Sequence, residues 1–228
     1  MRIGIVCSSG GSVFRSAYQI LKDCGFEINA VVVTDRECGI ESYCTKVNIP
    51  ARRIEEPSRE VFSAAAFQWL CEVHKVEWVA LFFSRLVDKA LYSRVPCVNF
   101  HPSLLPSFPG FGALKNVLNT GVKFFGATAH FVNESIDAGP ILAQTISPVP
   151  VNASLECLER ISFAQKLYLF LVIYEKALAG QLENLPYGEK RYGFLNYTTY
   201  AFPKLCSAAI EAKFMDFMLS EGIQWPPR

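Results

Sequence analysis

Arg2-Ile3-Gly4-Ile5-Val6-Cys7 runs without a break into Ser8-Ser9-Gly10-Gly11-Ser12, and this junction decides the fold. An apolar run that stops at small polar residues and glycines reads as a strand followed by a tight turn. From residue 13 to 22, Val13, Ala17, Ile20 and Leu21 recur at helical spacing. Strand, glycine turn and helix in succession open a βα unit. The same rhythm continues through the N-terminal half. Residues 28–33 are strand-like, 58–75 form a long amphipathic helix with Ser58 as its N-cap, and 77–83 form a buried strand. A short helix at 86–92 leads to a strand at 97–100. Alternation of this kind predicts an open, mainly parallel α/β sheet with helices on both faces.

The second half changes character. Residues 112–119 read as a helix, 124–132 and 141–149 as two partnered strands, and 154–179 as a helix ending at Gly180. Residues 185–205 are rich in Tyr, Gly and Pro and predict irregular chain; 207–219 predict a last amphipathic helix. The expected organisation is an α/β domain over 1–182 and a small C-terminal appendage over 183–228.

Composition narrows the function. Of 228 residues, 51% are apolar and 19% charged, which excludes a disordered chain and supplies a core without staples. A net charge of +1 gives no basic field for a polyanion, so no nucleic-acid partner is expected. The eight cysteines contain no C-x-x-C pair and several sit in apolar runs, as buried reduced thiols do. The N-terminal apolar run is too short for a signal peptide, and the densest apolar run, 167–174, falls far below the ~18 residues of a membrane span. A cytoplasmic protein without a membrane partner is the expectation.

Three segments carry candidate chemistry. The Ser8–Ser12 turn offers backbone N–H groups at a helix start, suited to an anion, or is an ordinary βα turn. Asn99 and His101 stand two apart on an extended segment and so share a face. They lie where a buried strand ends, the position at which open α/β sheets bind ligands. An amide and an imidazole there can bind a carbonyl oxygen and move a proton. Asp137 closes a polar loop braced by Ala138-Gly139-Pro140, where a carboxylate is otherwise a turn-former.

Taken together, Asn99-x-His101-Pro102-Ser103-Leu104-Leu105-Pro106, then Pro109-Gly110, then His130-Phe131-Val132, then Asp137-x-Gly139-Pro140-Ile141 resemble the folate-dependent formyltransferases in order and spacing. The resemblance spans residues 2–182 and is strongest over 98–150. It implies a Rossmann-like fold and transfer of a formyl group from 10-formyltetrahydrofolate to an amine, a one-carbon reaction of purine biosynthesis in the branch most resembled. Its catalytic residues fall on Asn99, His101 and Asp137. Asn99 donates to the developing oxyanion, protonated His101 does the same or gives a proton, and Asp137 orients His101 and helps remove the amine proton. No metal and no Cys or Ser nucleophile is needed. The folate site falls on Arg85, Leu86 and Val87 and on the loop residues Val132, Asn133, Glu134 and Ile136. The acceptor falls on Ser9, Gly10, Gly11, Ser12 and Lys166.

The acceptor side departs from the family's glycinamide ribonucleotide branch. Val13 replaces an Asn, Phe111-Gly112-Ala113-Leu114-Lys115 lacks the usual histidines, and Lys166 replaces a Glu. These changes predict an acceptor that keeps an anionic group near the first loop but fits glycinamide ribonucleotide poorly, with amino-sugar nucleotides next in line. A transfer-RNA acceptor is disfavoured by the charge and by the lack of a basic C-terminal domain. The alternatives are a formyltetrahydrofolate hydrolase, which usually carries a regulatory domain ahead of strand one, here at Arg2, and a non-catalytic folate-binding homologue. The expected partner is a small amine, bound by a monomer or by a homodimer whose surface includes apolar residues of 197–202 and the last helix.

Overall fold

The computed structural model describes residues 1–182 and 203–225. In chain order the elements are β1 (Arg2–Cys7), α1 (Ser12–Asp23), β2 (Asn29–Thr34), α2 (Gly39–Val47), β3 (Ala51–Arg53), α3 (Arg59–Phe67), β4 (Trp78–Phe82), α4 (Lys89–Tyr92), β5 (Cys97–His101), α5 (Ala113–Thr120), β6 (Phe124–Phe131), β7 (Ile141–Pro148), α6 (Leu155–Leu178) and α7 (Ala208–Ser220). The seven strands form one sheet in the order β3-β2-β1-β4-β5-β6-β7. β3 to β5 are parallel, and β6 and β7 add an antiparallel edge. This is the mainly parallel sheet with helices on both faces expected from the sequence.

Period-two alternation explains how the sheet is filled. Ile3 and Ile5 of β1, Val32 of β2, Trp78 and Ala80 of β4 and Val98 and Phe100 of β5 are buried in one core with α1, α2, α6 and α7. Val6, Val31, Val33, Val79 and Cys97 point the other way into a second core with α3 and α4. Ile210, Phe214 and Met218 of α7 belong to the first core, and Phe214 meets both Tyr168 and Trp225 in edge-to-face contacts. The residues 197–202 suggested as a dimer surface lie outside the described chain, as does most of the segment expected to be irregular.

Differences from the sequence reading are local. The helix expected at 58–75 begins as predicted, with Ser58 Oγ accepting from the Val61 N–H at 3.3 Å. It loosens into a π-helical stretch over Gln68–Val73. The short helix shrinks to Lys89–Tyr92, with Asp88 accepting from the Ala90 N–H as its cap. Gly180, at φ 68°, follows α6 as the predicted left-handed stop. α2 and β3 are additional elements. β3 is three exposed residues, Ala-Arg-Arg, and so carries no apolar alternation to read. No helix among the described residues is long and apolar enough to cross a membrane.

Candidate active site

β5 ends at His101 beside β4 on one side and β6 on the other. The antiparallel register sets Asn99 opposite His130 and His101 opposite Thr128, and cross-strand partners share a sheet face. The alternation that buries Ala127, Ala129 and Phe131 in the first core turns Thr128 and His130 toward Asn99 and His101. The loop after β6 then returns Asp137 to the same spot. Asp137 holds a left-handed backbone, φ 49°. Gly139 lies so close under the Phe131 carbonyl that an added methyl would collide with it. Gly139→Ala is therefore expected to destabilise the protein by about 1–3 kcal/mol and to lower activity by moving Asp137. A lowered melting temperature together with reduced turnover checks this.

The polar groups converge tightly. Asn99 Nδ2 donates to Asp137 Oδ1 at 3.2 Å and stands 3.2 Å from His130 Nε2. His101 Nδ1 is 3.2 Å from Asp137 Oδ2, and His130 Nε2 is 3.4 Å from Oδ1. The Gly110 N–H donates to Asp137 Oδ2 at 2.7 Å. His101 Nε2 donates to the Phe108 carbonyl at 2.8 Å, and His130 Nδ1 to the Phe131 carbonyl at 2.9 Å. Both imidazoles are buried.

Burial raises the Asp137 carboxyl, but the polar contacts around it, the Gly110 N–H among them, outweigh it and hold the group down to about 2. Burial pulls His101 below its ordinary value. The Phe108 carbonyl and Asp137 oppose that pull, while His130 and Lys166 add to it. The resemblance implies a protonated His101; its surroundings favour the neutral ring at pH 7.

This cluster lines a cavity of about 690 Å³, within the range of small-molecule sites. Ser9, Gly11, Ser12 and Val13 line it, while Gly10 lies outside the lining. Gly11 is left-handed, φ 63°, and begins α1 with no side-chain cap, so the turn's N–H groups remain available to a ligand. Lys166 of α6 also lines the cavity. It is half-buried and makes no hydrogen bond or ion pair among the described residues; burial lowers its pKa, against the pull of Glu159.

Arg85, Leu86, Val87, Val132, Asn133, Glu134 and Ile136 line the same cavity. Arg85 is already engaged: its guanidinium donates to the Glu56 and Pro57 carbonyls at 2.9 and 2.7 Å and lies 3.7 Å from Asp35. Asn99, His101 and Asp137 are thus brought together. Two cavity cations, Arg59 and Lys89, carried no signal in the sequence. His130 was visible within its motif but without a role, because only the β5–β6 register shows what it faces.

Fold and site define a class: an open α/β-sheet enzyme that moves a group onto a nucleophile with an amide, imidazoles and a carboxylate set above the ends of β5 and β6. The chain belongs to the formyl transferase family, whose profile matches residues 1–173. It is 32% identical over 167 residues to the phosphoribosylglycinamide formyltransferase of Bacillus subtilis (strain 168), covering 70% of this chain and 85% of that one. It is 33% identical over 177 residues to the trifunctional purine biosynthetic protein adenosine-3 of Chironomus tentans. That match covers 73% of this chain and spans 13% of the length of that protein. The structure resembles glycinamide ribonucleotide transformylase 1 from Symbiobacterium toebii with a TM-score of 0.69 and 30% identity, over 75% of this chain and 84% of that one. The protein is a formyltransferase of the kind that draws on 10-formyltetrahydrofolate.

Proposed function

We propose that the protein transfers the formyl group of 10-formyltetrahydrofolate to the amine of a small phosphorylated acceptor of the phosphoribosylglycinamide type. The observation that carries this reading is the convergence of Asn99, His101 and Asp137 in one cavity. Ser9, Gly11, Ser12 and Val13 line that cavity together with the proposed folate segments 85–87 and 132–136.

The amine nitrogen attacks the formyl carbon, and the carbonyl oxygen becomes an oxyanion. An Asn99 N–H, now shared with Asp137 and His130, turns to that oxygen as charge develops. The amine proton passes to the His101–Asp137 pair. With Nε2–H committed to the Phe108 carbonyl, a neutral His101 has its lone pair on Nδ1, facing the carboxylate. The pair gains a strong hydrogen bond when that nitrogen is protonated. Collapse of the intermediate breaks the bond to N10 of the folate, which takes up a proton and leaves as tetrahydrofolate. The donor lies along Leu86, Val87 and residues 132–136, its carboxylates toward Arg85, Arg59 and Lys89.

The acceptor's anionic group lies at the N–H groups of the Ser9–Ser12 turn, and Lys166 adds a positive charge. We assign catalysis to residues 1–182, with 183–228 as an appendage. The eight free cysteines suit a reducing compartment such as the cytosol, and we expect a monomer or homodimer that binds neither nucleic acid nor membrane.

The test is turnover of 10-formyltetrahydrofolate with glycinamide ribonucleotide, amino-sugar nucleotides and other phosphorylated amines. A kcat/KM for glycinamide ribonucleotide of ~10⁴–10⁸ M⁻¹s⁻¹ identifies it as the acceptor and makes Val13 and Lys166 tolerated changes. A higher value for another amine shows that these residues redirect specificity. Tetrahydrofolate release without any amine replaces transfer by hydrolysis. Lys166→Glu is expected to lower kcat/KM for an anionic acceptor by roughly 10–100-fold, the worth of a charge-assisted hydrogen bond, with donor affinity unchanged. Equal loss of donor affinity would remove Lys166 from the acceptor site.

A further inference from the structure

His130 is a side chain of the polar cluster to which the formyl-transfer mechanism above gives no step of its own. It is 2% exposed, and its two ring nitrogens have different partners. Nδ1 stands 2.9 Å from the Phe131 carbonyl. A carbonyl oxygen only accepts, so Nδ1 carries the proton. In the neutral ring, Nε2 is then a lone pair, and it lies 3.2 Å from Asn99 Nδ2.

The other side of Asn99 fixes the direction of its amide. Asp137 accepts from Asn99 at 3.2 Å, and a carboxylate held ionised cannot donate. The nitrogen of the amide, not its oxygen, must therefore face Asp137. Its two hydrogens are thus divided between Asp137 Oδ1 and His130 Nε2. The 3.4 Å contact of His130 with Asp137 Oδ1 is the bond that a protonated ring would make instead, with its Nε2–H opposing the Asn99 N–H.

We propose that His130 is a positioning residue for formyl transfer: its unprotonated Nε2 accepts from Asn99 and holds the amide beside the reacting carbonyl, in the place from which an N–H turns to the developing oxyanion. The β5–β6 register is the device that makes this possible, because it sets the two residues directly across from each other on adjacent strands. Without that acceptor, Asp137 alone restrains the amide, which is free to swing about a single bond. The proposal rests on the formyl-transfer reading for its consequence, but the hydrogen bond itself is testable in the free protein.

Two measurements settle it. The first is nitrogen NMR of the substrate-free wild type at neutral pH, where only three histidines need assignment. His130 is expected as the Nδ1–H tautomer with an unprotonated Nε2, and the Asn99 side-chain amide is expected to shift in His130→Phe but not in His130→Gln. A proton on Nε2, or an Asn99 amide indifferent to both variants, overturns the proposal whatever the reaction proves to be. The second is steady-state kinetics of the same variants. Phe keeps the ring volume and removes the acceptor; Gln returns an oxygen near the Nε2 position. His130→Phe is expected to lose about 10²-fold in kcat, the cost of a misplaced catalytic group, with the KM for 10-formyltetrahydrofolate little changed, and His130→Gln to recover most of it. A His130→Phe enzyme with wild-type kcat, or a Gln variant as impaired as the Phe variant despite wild-type thermal stability, overturns it. If the wild type shows no formyl transfer, the functional reading fails, and the NMR result still decides the hydrogen bond.

Discussion

His101→Ala is expected to lower kcat by about 10²–10⁴-fold, the usual worth of a positioned acid–base group, while binding of 10-formyltetrahydrofolate changes little. The ring is buried beneath the cavity, and its nitrogens face the Phe108 carbonyl and Asp137. Its loss removes a proton acceptor rather than a ligand contact. The pH dependence follows from the direction of its shift. Burial lowers the His101 pKa from the ordinary 6.5, so the neutral, proton-accepting form is present at pH 7. It is lost only as pH falls through the lowered value. The acid limb of wild-type kcat is therefore expected below pH 6.5, and the residual activity of His101→Ala should lack it. Equal kcat for mutant and wild type, or an acid limb retained in the mutant, would reject the role.

Asp137→Asn is expected to be as costly, about 10²–10⁴-fold in kcat, although it changes one atom. The carboxylate takes hydrogen bonds from Asn99 and Gly110 and lies beside both histidines. An amide must turn an NH₂ toward one pair of these neighbours, and it cannot stabilise a positive imidazole. The same variant has a signature in stability. The Asp137 pKa is lowered from 3.8 to about 2, so its ionised form stabilises the fold fully above pH 3.8. That contribution, roughly 2 kcal/mol, disappears as pH falls toward the lowered value. Acid unfolding of the wild type should include this loss, and Asp137→Asn should not show it. Wild-type turnover in Asp137→Asn would end the assignment of the proton to the His101–Asp137 pair.

Much of this site is legible in the sequence, for identifiable reasons. Strand alternation has a period of two, so Asn99 and His101 had to share a face. A strand ending in His-Pro had to deliver them to the C-terminal end of the strand. Asp137 was harder: a turn carboxylate is common, and its place in the cluster rested on the family motif until the loop was seen to fold back on Phe131. Arg85 shows the opposite case. Its motif predicted a folate contact, but nothing local announced that the Glu56 and Pro57 carbonyls, nearly thirty residues earlier, already hold its guanidinium.

By itself the sequence determined the order and type of the main elements and the two-faced sheet, and it put Asn99 and His101 forward as candidates on one face of a strand. Those depend on local patterns: apolar periodicity, glycine and proline punctuation, and residues spaced within one strand. Only the tertiary structure decided that His130 faces Asn99, that Lys166 enters the cavity, and that Gly10 stands apart from the lining while its neighbours form it. Each of these depends on the register of a strand or the packing of a helix against residues distant in the chain. Such contacts are selected by the closing of the whole core, and no local run of residues specifies them.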